Sequence, residues 1–379
     1  MSSLYLHIPF CSRKCPYCDF FSQVGSQQQI NDYVELLILN LQILKRDDSH
    51  PTPLNTIFFG GGTPSLLSVE QVGDILNKVA QTYGIASDAE ITLEANPGTV
   101  NFEQLRGYYQ AGINRLSLGI QSLNDQKLQL LGRIHSSSQA RECIIAARAA
   151  GFENLNLDLM FALPDQDLLS LEEEISALLS FAPEHISLYG LSFEEGTEFY
   201  RQLQSGKLTA CEENLYAEQY QLLHRQLVSA GFEHYEISNF ARSDRRCRHN
   251  QVYWKREDCL AVGTGAHSFI SRKWGTRWHI TENLQSYKEA LLGGNNPAEK
   301  LETYHQQGAM KEFVYLALRT SDGVDLQEFE QKFNLPLQQV FPDALDKTRN
   351  YLDLPLTSGY CRFNLNGWLL YDHLISHFL

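Results

Sequence analysis

The chain has 379 residues, 43% of them hydrophobic and 20% charged, and 31 Lys+Arg stand against 45 Asp+Glu for a net charge of -14. This is an ordinary globular composition, long enough for two or three domains and a large core. The acidic balance excludes electrostatic, phosphate-driven nucleic-acid binding, and no apolar run reaches the roughly 18 residues of a membrane span. The N-terminus also lacks the charged start, apolar block and cleavage site of a secretory signal, so a reducing, cytoplasmic location is expected.

Ser3 to Pro9 alternates as a first strand, and a loop with Cys11, Cys15 and Cys18 follows at Cys-x-x-x-Cys-x-x-Cys spacing. Residues 28–46 carry apolar side chains at helical spacing. A short buried strand, 55–59, runs into Gly60-Gly61-Gly62-Thr63-Pro64, and a helix over 68–83 opens on a serine cap and stops at Gly84. The alternation continues with strands over 90–96, 114–121, 154–163 and 185–193 and helices over 101–111, 136–150 and 169–181. Strands alternating with helices predict a parallel sheet with right-handed crossovers. Six such units fit either an open doubly wound sheet or an incomplete barrel.

Beyond Glu194 the rhythm changes. A helix over 215–230 precedes two polar, aromatic stretches, Cys247 to Trp254 (CRHNQVYW) and Val262 to Phe269 (VGTGAHSF). After a joint at Gly293-Gly294-Asn295-Asn296-Pro297, helices over 308–318, 326–333, 340–350 and 372–379 and a hairpin turning at Asn366-Gly367 give a winged-helix-like shape. The expected regions are 1–195, 196–296 and 297–379. Residues 301–379 hold 6 Lys+Arg and 10 Asp+Glu, the wrong sign for a phosphate-binding face, so the last region reads as a lid or a partner-docking module.

Eight cysteines in a long chain without a secretion signal do not make a disulfide framework, and three of them within eight residues favour a metal site. An iron–sulfur cluster normally takes four thiolates; three leave one iron open to another ligand. Zinc is the rival, with His7 as the nearby fourth ligand. The glycine run follows a strand directly, where ligands bind in barrels and open sheets, and lacks the Gly-Lys-Ser/Thr ending of a phosphate loop. Glu94, Gln121 and Asp158 sit at or near the carboxyl ends of further strands. Singly, each reads equally well as a structural residue, Asp158 for instance bonded to Arg133; together they mark a binding site.

The segments HIPFCSRKCPYC, FFGGGTPS, TLEANP, RLSLGIQS and LDLMFALP, in this order, resemble the radical S-adenosylmethionine enzymes, and within them the oxygen-independent coproporphyrinogen III oxidase group. The resemblance covers residues 3 to about 375 and implies an α/β fold, a partial (β/α)6 barrel. It also implies a [4Fe-4S] cluster on Cys11, Cys15 and Cys18. The open iron would bind S-adenosylmethionine, which an electron from the cluster cleaves to a 5′-deoxyadenosyl radical. Tyr5 and the backbone at Tyr17 would contact the nucleoside, Gly61, Gly62 and Thr63 the methionine amino group, and Glu94 the ribose. Gln121, Arg133 and Asp158 would complete the pocket, Arg133 pairing with the methionine carboxylate.

Two departures point to a sister branch, the haem chaperones. Residue 20, where the oxidases carry a fourth cysteine, is Phe20, and only four residues precede Tyr5, where they carry an extension. The chaperone branch shares a His-Asn-x-x-Tyr-Trp segment, here His249 to Trp254. His249 or Cys247 is then a candidate axial ligand to haem iron, with His267 a third. Arg242, Arg245, Arg246 and Arg248 are candidates for the propionates, and Tyr253 and Trp254 for a porphyrin face. Expected partners are haem, haem-accepting proteins, an electron donor, a second copy of the chain and, peripherally, membrane complexes. An oxidase that decarboxylates propionates, or another radical enzyme, stays open as the alternative.

Overall fold

The computed structural model describes residues 2–47, 53–353 and 359–379. Six strands lie side by side in chain order: β1 (Ser3–Ile8), β2 (Leu54–Gly61), β3 (Ile85–Ala95), β4 (Arg115–Gln121), β5 (Leu155–Phe161) and β6 (His185–Gly190). All five pairings between them are parallel. The crossovers are α1 (Gln27–Asp47), α2 (Val69–Tyr83), α3 (Phe102–Ala111), α4 (Ser137–Ala150) and α5 (Leu168–Leu179). Local chemistry sets their ends. Ser68, Asn101 and Ser136 each close a capping box with Gln71, Gln104 and Gln139, and Gly112 and Gly151 end α3 and α4 in the left-handed conformation.

Strand order decides between the two predicted architectures. A doubly wound sheet reverses direction at a switch point, whereas here each strand is added on the same side of the last. The winding is that of a barrel, and it stays open. Past β6, after α6 (Glu213–Ser229), the sheet gains antiparallel β7 (Glu233–Glu236) and β8 (Asn239–Ala241). Then comes α7 (Arg248–Trp254), and past β1 the sheet gains parallel β9 (Cys259–Val262) and antiparallel β10 (His267–Ile270), β11 (Thr276–Ile280) and β12 (Ala298–Thr303). The sheet edges are β7 and β12, and no pairing joins them among the described residues.

Along each strand the two faces differ. Leu4 and Leu6, Ile57 and Phe59, Ile91 and Leu93, Leu116 and Leu118, Leu155 and Leu157, and Ile186 and Leu188 are buried in the main apolar core. The alternate positions are polar: Tyr5, Glu94, Arg115, Ser117, Asn156, Asp158, Ser187 and Tyr189 all line one interior cavity. A polar interior on an apolar-clad barrel is a binding architecture, because buried polar groups require partners.

After β12, α8 (Gln306–Ala317), α9 (Leu326–Phe333), α10 (Pro342–Thr348), α11 (Leu365–Leu369) and α12 (Tyr371–Ile375) enclose a second core around Phe313, Phe329, Phe333 and Trp368. The expected turn at Asn366-Gly367 is instead part of α11, capped by the Asn364 side chain. Gly367 is needed there for close approach, since a Cβ would lie 2.7 Å from the Tyr351 carbonyl oxygen. The antiparallel pair is made by Val324–Asp325 with Tyr360–Cys361. The joint at 293–297 leads into β12, which hydrogen-bonds to β11 before the helices begin.

Candidate functional site

The loop after β1 is fastened at several points. Phe10 and Cys11 pair with Gln23 and Val24, the Gln23 amide donates to the Pro9 carbonyl (2.8 Å), and the Phe199 amide to that of Pro16 (2.9 Å). Cys11, Cys15 and Cys18 are half-buried and line one cavity of about 400 Å³ at the carboxyl ends of the strands. Among the described residues no group of three or more His, Cys, Asp or Glu side chains is arranged to hold a single metal ion.

The glycine run explains how the loop lies so close. A Cβ on Gly61, whose φ is 114°, would fall 2.8 Å from the His7 ring; one on Gly62 would fall 2.7 Å from the Phe10 carbonyl oxygen and 3.0 Å from Cys11 Sγ. The run therefore serves close approach. Thr63 Oγ1 donates to Cys11 Sγ (3.5 Å), and Arg133 Nη1 to Cys15 Sγ (3.6 Å).

Tyr17, Gly61, Gly62, Thr63, Glu94, Gln121, Arg133 and Asp158 line this same cavity with the thiols. Tyr5 lies apart, in a smaller cavity of about 210 Å³ deeper in the barrel. Glu94, Ser117, Asp158 and Tyr189 belong to both cavities. Glu94 accepts from the Gly61 amide (3.3 Å). Burial, with Asp158 opposite, pushes its carboxyl up to about 8. Burial also raises Asp158, against hydrogen bonds from its neighbours. The partners of Asp158 are Asn156 (2.7 Å) and Ser117 (3.4 Å) rather than Arg133. Arg133 spends Nη2 on the Gly119 carbonyl (2.9 Å), and its buried Nε has no partner. Gln121 holds a left-handed φ of 64° beside a register shift in β4, the kind of backbone outlier that collects at binding sites. Phe20 is 66% exposed at the cavity mouth.

The haem candidates lie elsewhere. His249 is 1% exposed. Its Nδ1 bonds Thr56 Oγ1 (2.7 Å), its Nε2 bonds the Tyr253 hydroxyl (2.8 Å), and its ring stacks on Phe58. Cys247 is sealed, with Sγ donating to Glu90 (3.6 Å). Neither atom set is open to an iron in this conformation, because α7 is held by amides of Arg248 and His249 donating to Glu90. Three of the four arginines are likewise engaged: Arg246 pairs with Glu233 and Asp322, Arg248 with Asp88, and Arg242 stacks on Phe232. Arg245 is exposed. His267 pairs across the strands with His279, ring centroids 4.9 Å apart. Arg115, Ser117 and Tyr189 were not singled out in the sequence; their alternation with apolar residues within β4 and β6 was the available signal.

The sequence matches the radical SAM superfamily over residues 5–178 and the HemN C-terminal domain over residues 304–370. Fold and three-thiol cavity together define a radical SAM protein. The chain is 37% identical to the protein named heme chaperone HemW of Haemophilus influenzae, over 98% of this chain and 94% of that one. It is 35% identical to the protein of that name from Bacillus subtilis, over 91% and 90%. Its fold is similar to that of coproporphyrinogen III oxidase (HemN) from Escherichia coli, with TM-score 0.85, 21% identity, and 100% of this chain and 89% of that one covered. The chain belongs to the HemW family of radical SAM proteins. Among the described residues no helix is long and apolar enough to cross a membrane.

Proposed function

We propose that this protein binds haem and passes it to haem-dependent proteins. We further propose that the strand-end cavity holds a [4Fe-4S] cluster on Cys11, Cys15 and Cys18 together with S-adenosylmethionine. One observation carries the cofactor assignment: three thiols, a glycine wall and the polar ends of β3, β4 and β5 gather around one cavity. The haem assignment rests on the near full-length similarity to proteins named heme chaperones.

The residues present fit these groups. Gly62 leaves room beside Cys11, and the guanidinium of Arg133 beside Cys15 suits a carboxylate drawn to the cluster. When bound, the cluster supplies an electron at low potential to the sulfonium. The chain supplies the rest. Thr63 and Gly62 shape the amino-group end, and Arg133 and Gln121 the carboxylate end. Glu94, which keeps its proton at neutral pH, offers the ribose both a donor and an acceptor. An electron donor and haem-accepting proteins are the partners this reading requires.

The test is anaerobic reconstitution of the full chain, followed by haem titration, transfer to an apo haem protein, and incubation with coproporphyrinogen III and S-adenosylmethionine. Haem binding and transfer without decarboxylation is expected. Turnover to protoporphyrinogen, which the fold shared with HemN keeps as the second reading, would replace the carrier by an oxidase.

A further inference from the structure

Behind the thiol cavity one row of polar side chains crosses four parallel strands. Register places Glu94 of β3 beside Ser117 of β4, Ser117 beside Asn156 of β5, and Asn156 beside His185 of β6. Asp158 stands two residues on from Asn156 and so shares its face of β5. Hydrogen bonds run along this row in one direction. The Tyr235 hydroxyl on β7 accepts from the Cys247 amide (3.4 Å), so its own proton goes to His185 Nε2 (2.7 Å). Burial keeps the His185 imidazole neutral by holding its pKa well below the ordinary value. Its single N–H is therefore on Nδ1 and is donated to Asn156 Oδ1 (2.6 Å). That bond fixes the Asn156 amide with Nδ2 donating to Asp158 Oδ1 (2.7 Å).

We propose that Tyr235, His185 and Asn156 are positioning residues for S-adenosylmethionine: their relay holds Asp158 as the carboxylate of the strand-end cavity and leaves the proton with Glu94. The assignment rests on the S-adenosylmethionine reading above and names what orients its pocket. The two acids line the same cavity but are supplied unequally. Asp158 receives Asn156 on Oδ1 and Ser117 on Oδ2 (3.4 Å). Burial opposes its charge, and Ser187, Asn156, Arg115 and Ser117 all favour it. Glu94 receives only the Gly61 amide (3.3 Å) among the described residues. Of two facing acids, the one given the stronger donors keeps the charge and its neighbour keeps the proton. Of the remaining groups on the chamber wall, Tyr189, Asn250 and Tyr253 carry no charge at neutral pH, and burial keeps His249 uncharged. A fixed anion beside a fixed O–H donor suits a ligand that carries both a cation and hydroxyls, as S-adenosylmethionine does. Tyr235, at the far end of the relay, lines neither the chamber nor the thiol cavity. It stands on the wall of a cleft of about 940 Å³ between the barrel and the C-terminal domain.

The experiment is equilibrium dialysis of S-adenosylmethionine against the reconstituted full chain and its variants at matched iron content. His185→Phe and Tyr235→Phe should each weaken binding about tenfold, the cost of losing a hydrogen bond relayed to a buried charge. His185→Asn, which keeps a donor at the Nδ1 position, should recover most of that affinity. In an Asp158→Asn background His185→Phe should cost nothing further, since it acts only through Asp158. Wild-type affinity in both single variants, or additive losses in the double variant, overturns the relay and leaves the S-adenosylmethionine reading standing. A wild type that does not bind S-adenosylmethionine overturns both. Should His185→Phe not fold, Tyr235→Phe in the same cycle decides the question, because it deletes one hydroxyl outside the cofactor cavity.

Discussion

Gly62 shows how tightly single atoms are placed at the thiol cavity. A Cβ there meets the Phe10 carbonyl oxygen at 2.7 Å and Cys11 Sγ at 3.0 Å, and the backbone atom cannot yield without breaking the short pairing with Gln23. Gly62→Ala is expected to fold yet to hold less than half the wild-type iron after reconstitution, measured by iron content and absorption near 420 nm. Glu94 gives a pH test. Its native carboxyl titrates near 8, well above the 4.5 of an unfolded glutamate. Between those values the unfolded chain releases a proton that the native state keeps, so stability is full below 4.5 and falls as pH rises to 8. Glu94→Gln removes that loss. It should leave urea stability unchanged at pH 4 and raise it by about 2 kcal/mol at pH 8, the value being discounted for water in the cavity.

At the scale of elements, α8 is latched to the barrel by Glu312. Its carboxylate receives Arg256, 2% exposed, and Arg277 (2.6 Å), with the Tyr304 hydroxyl as a third donor. Arg256 also lies over Phe269 at 4.7 Å and donates to the Trp274 carbonyl (2.6 Å). Removing the acid strands a buried guanidinium, so Glu312→Ala should cost about 3–5 kcal/mol in urea unfolding and detach the C-terminal domain early, as a separate transition. Elements bounded by their own residues were legible in advance: α2, α3 and α4 begin at Ser68, Asn101 and Ser136 and stop at glycine because capping needs only neighbours a turn away. Residues 248–254 were not legible as a helix. Their apolar spacing is short and polar-rich, and Glu90, 158 positions away from Arg248 in sequence, supplies the acceptor for the first amides. The Asn366-Gly367 pair carried a strong local hairpin signal that lost to packing of Gly367 against Tyr351.

For the whole molecule, buried imidazoles set the acid limit. Burial pushes His234 and His249 down to about 3 and His185 well below its ordinary value. Below pH 6.5 the unfolded chain takes up protons that the native chain refuses, so stability present above 6.5 is lost as pH falls. Each site should cost about 2 kcal/mol at pH 5, and the urea midpoint should fall steeply between pH 6.5 and 4. His234→Phe, whose ring stacks on Phe240 at 3.8 Å, should flatten that slope by about one proton.

By itself the sequence determined what depends on near neighbours and on composition. This covers the alternation of strands and helices, the three-thiol loop, the glycine wall, and the polar residues at the ends of β3, β4 and β5. Those features were also enough to carry the resemblance to a family. Only the tertiary structure decided that the strands wind in one direction, that Tyr5 lies in a chamber behind the thiol cavity, and that α7 turns His249 inward and Trp254 outward. The physical reason is range. Caps and turns are satisfied within a few residues, whereas burial, cavity walls and the hydrogen-bond partners of a buried imidazole come from strands and domains far along the chain.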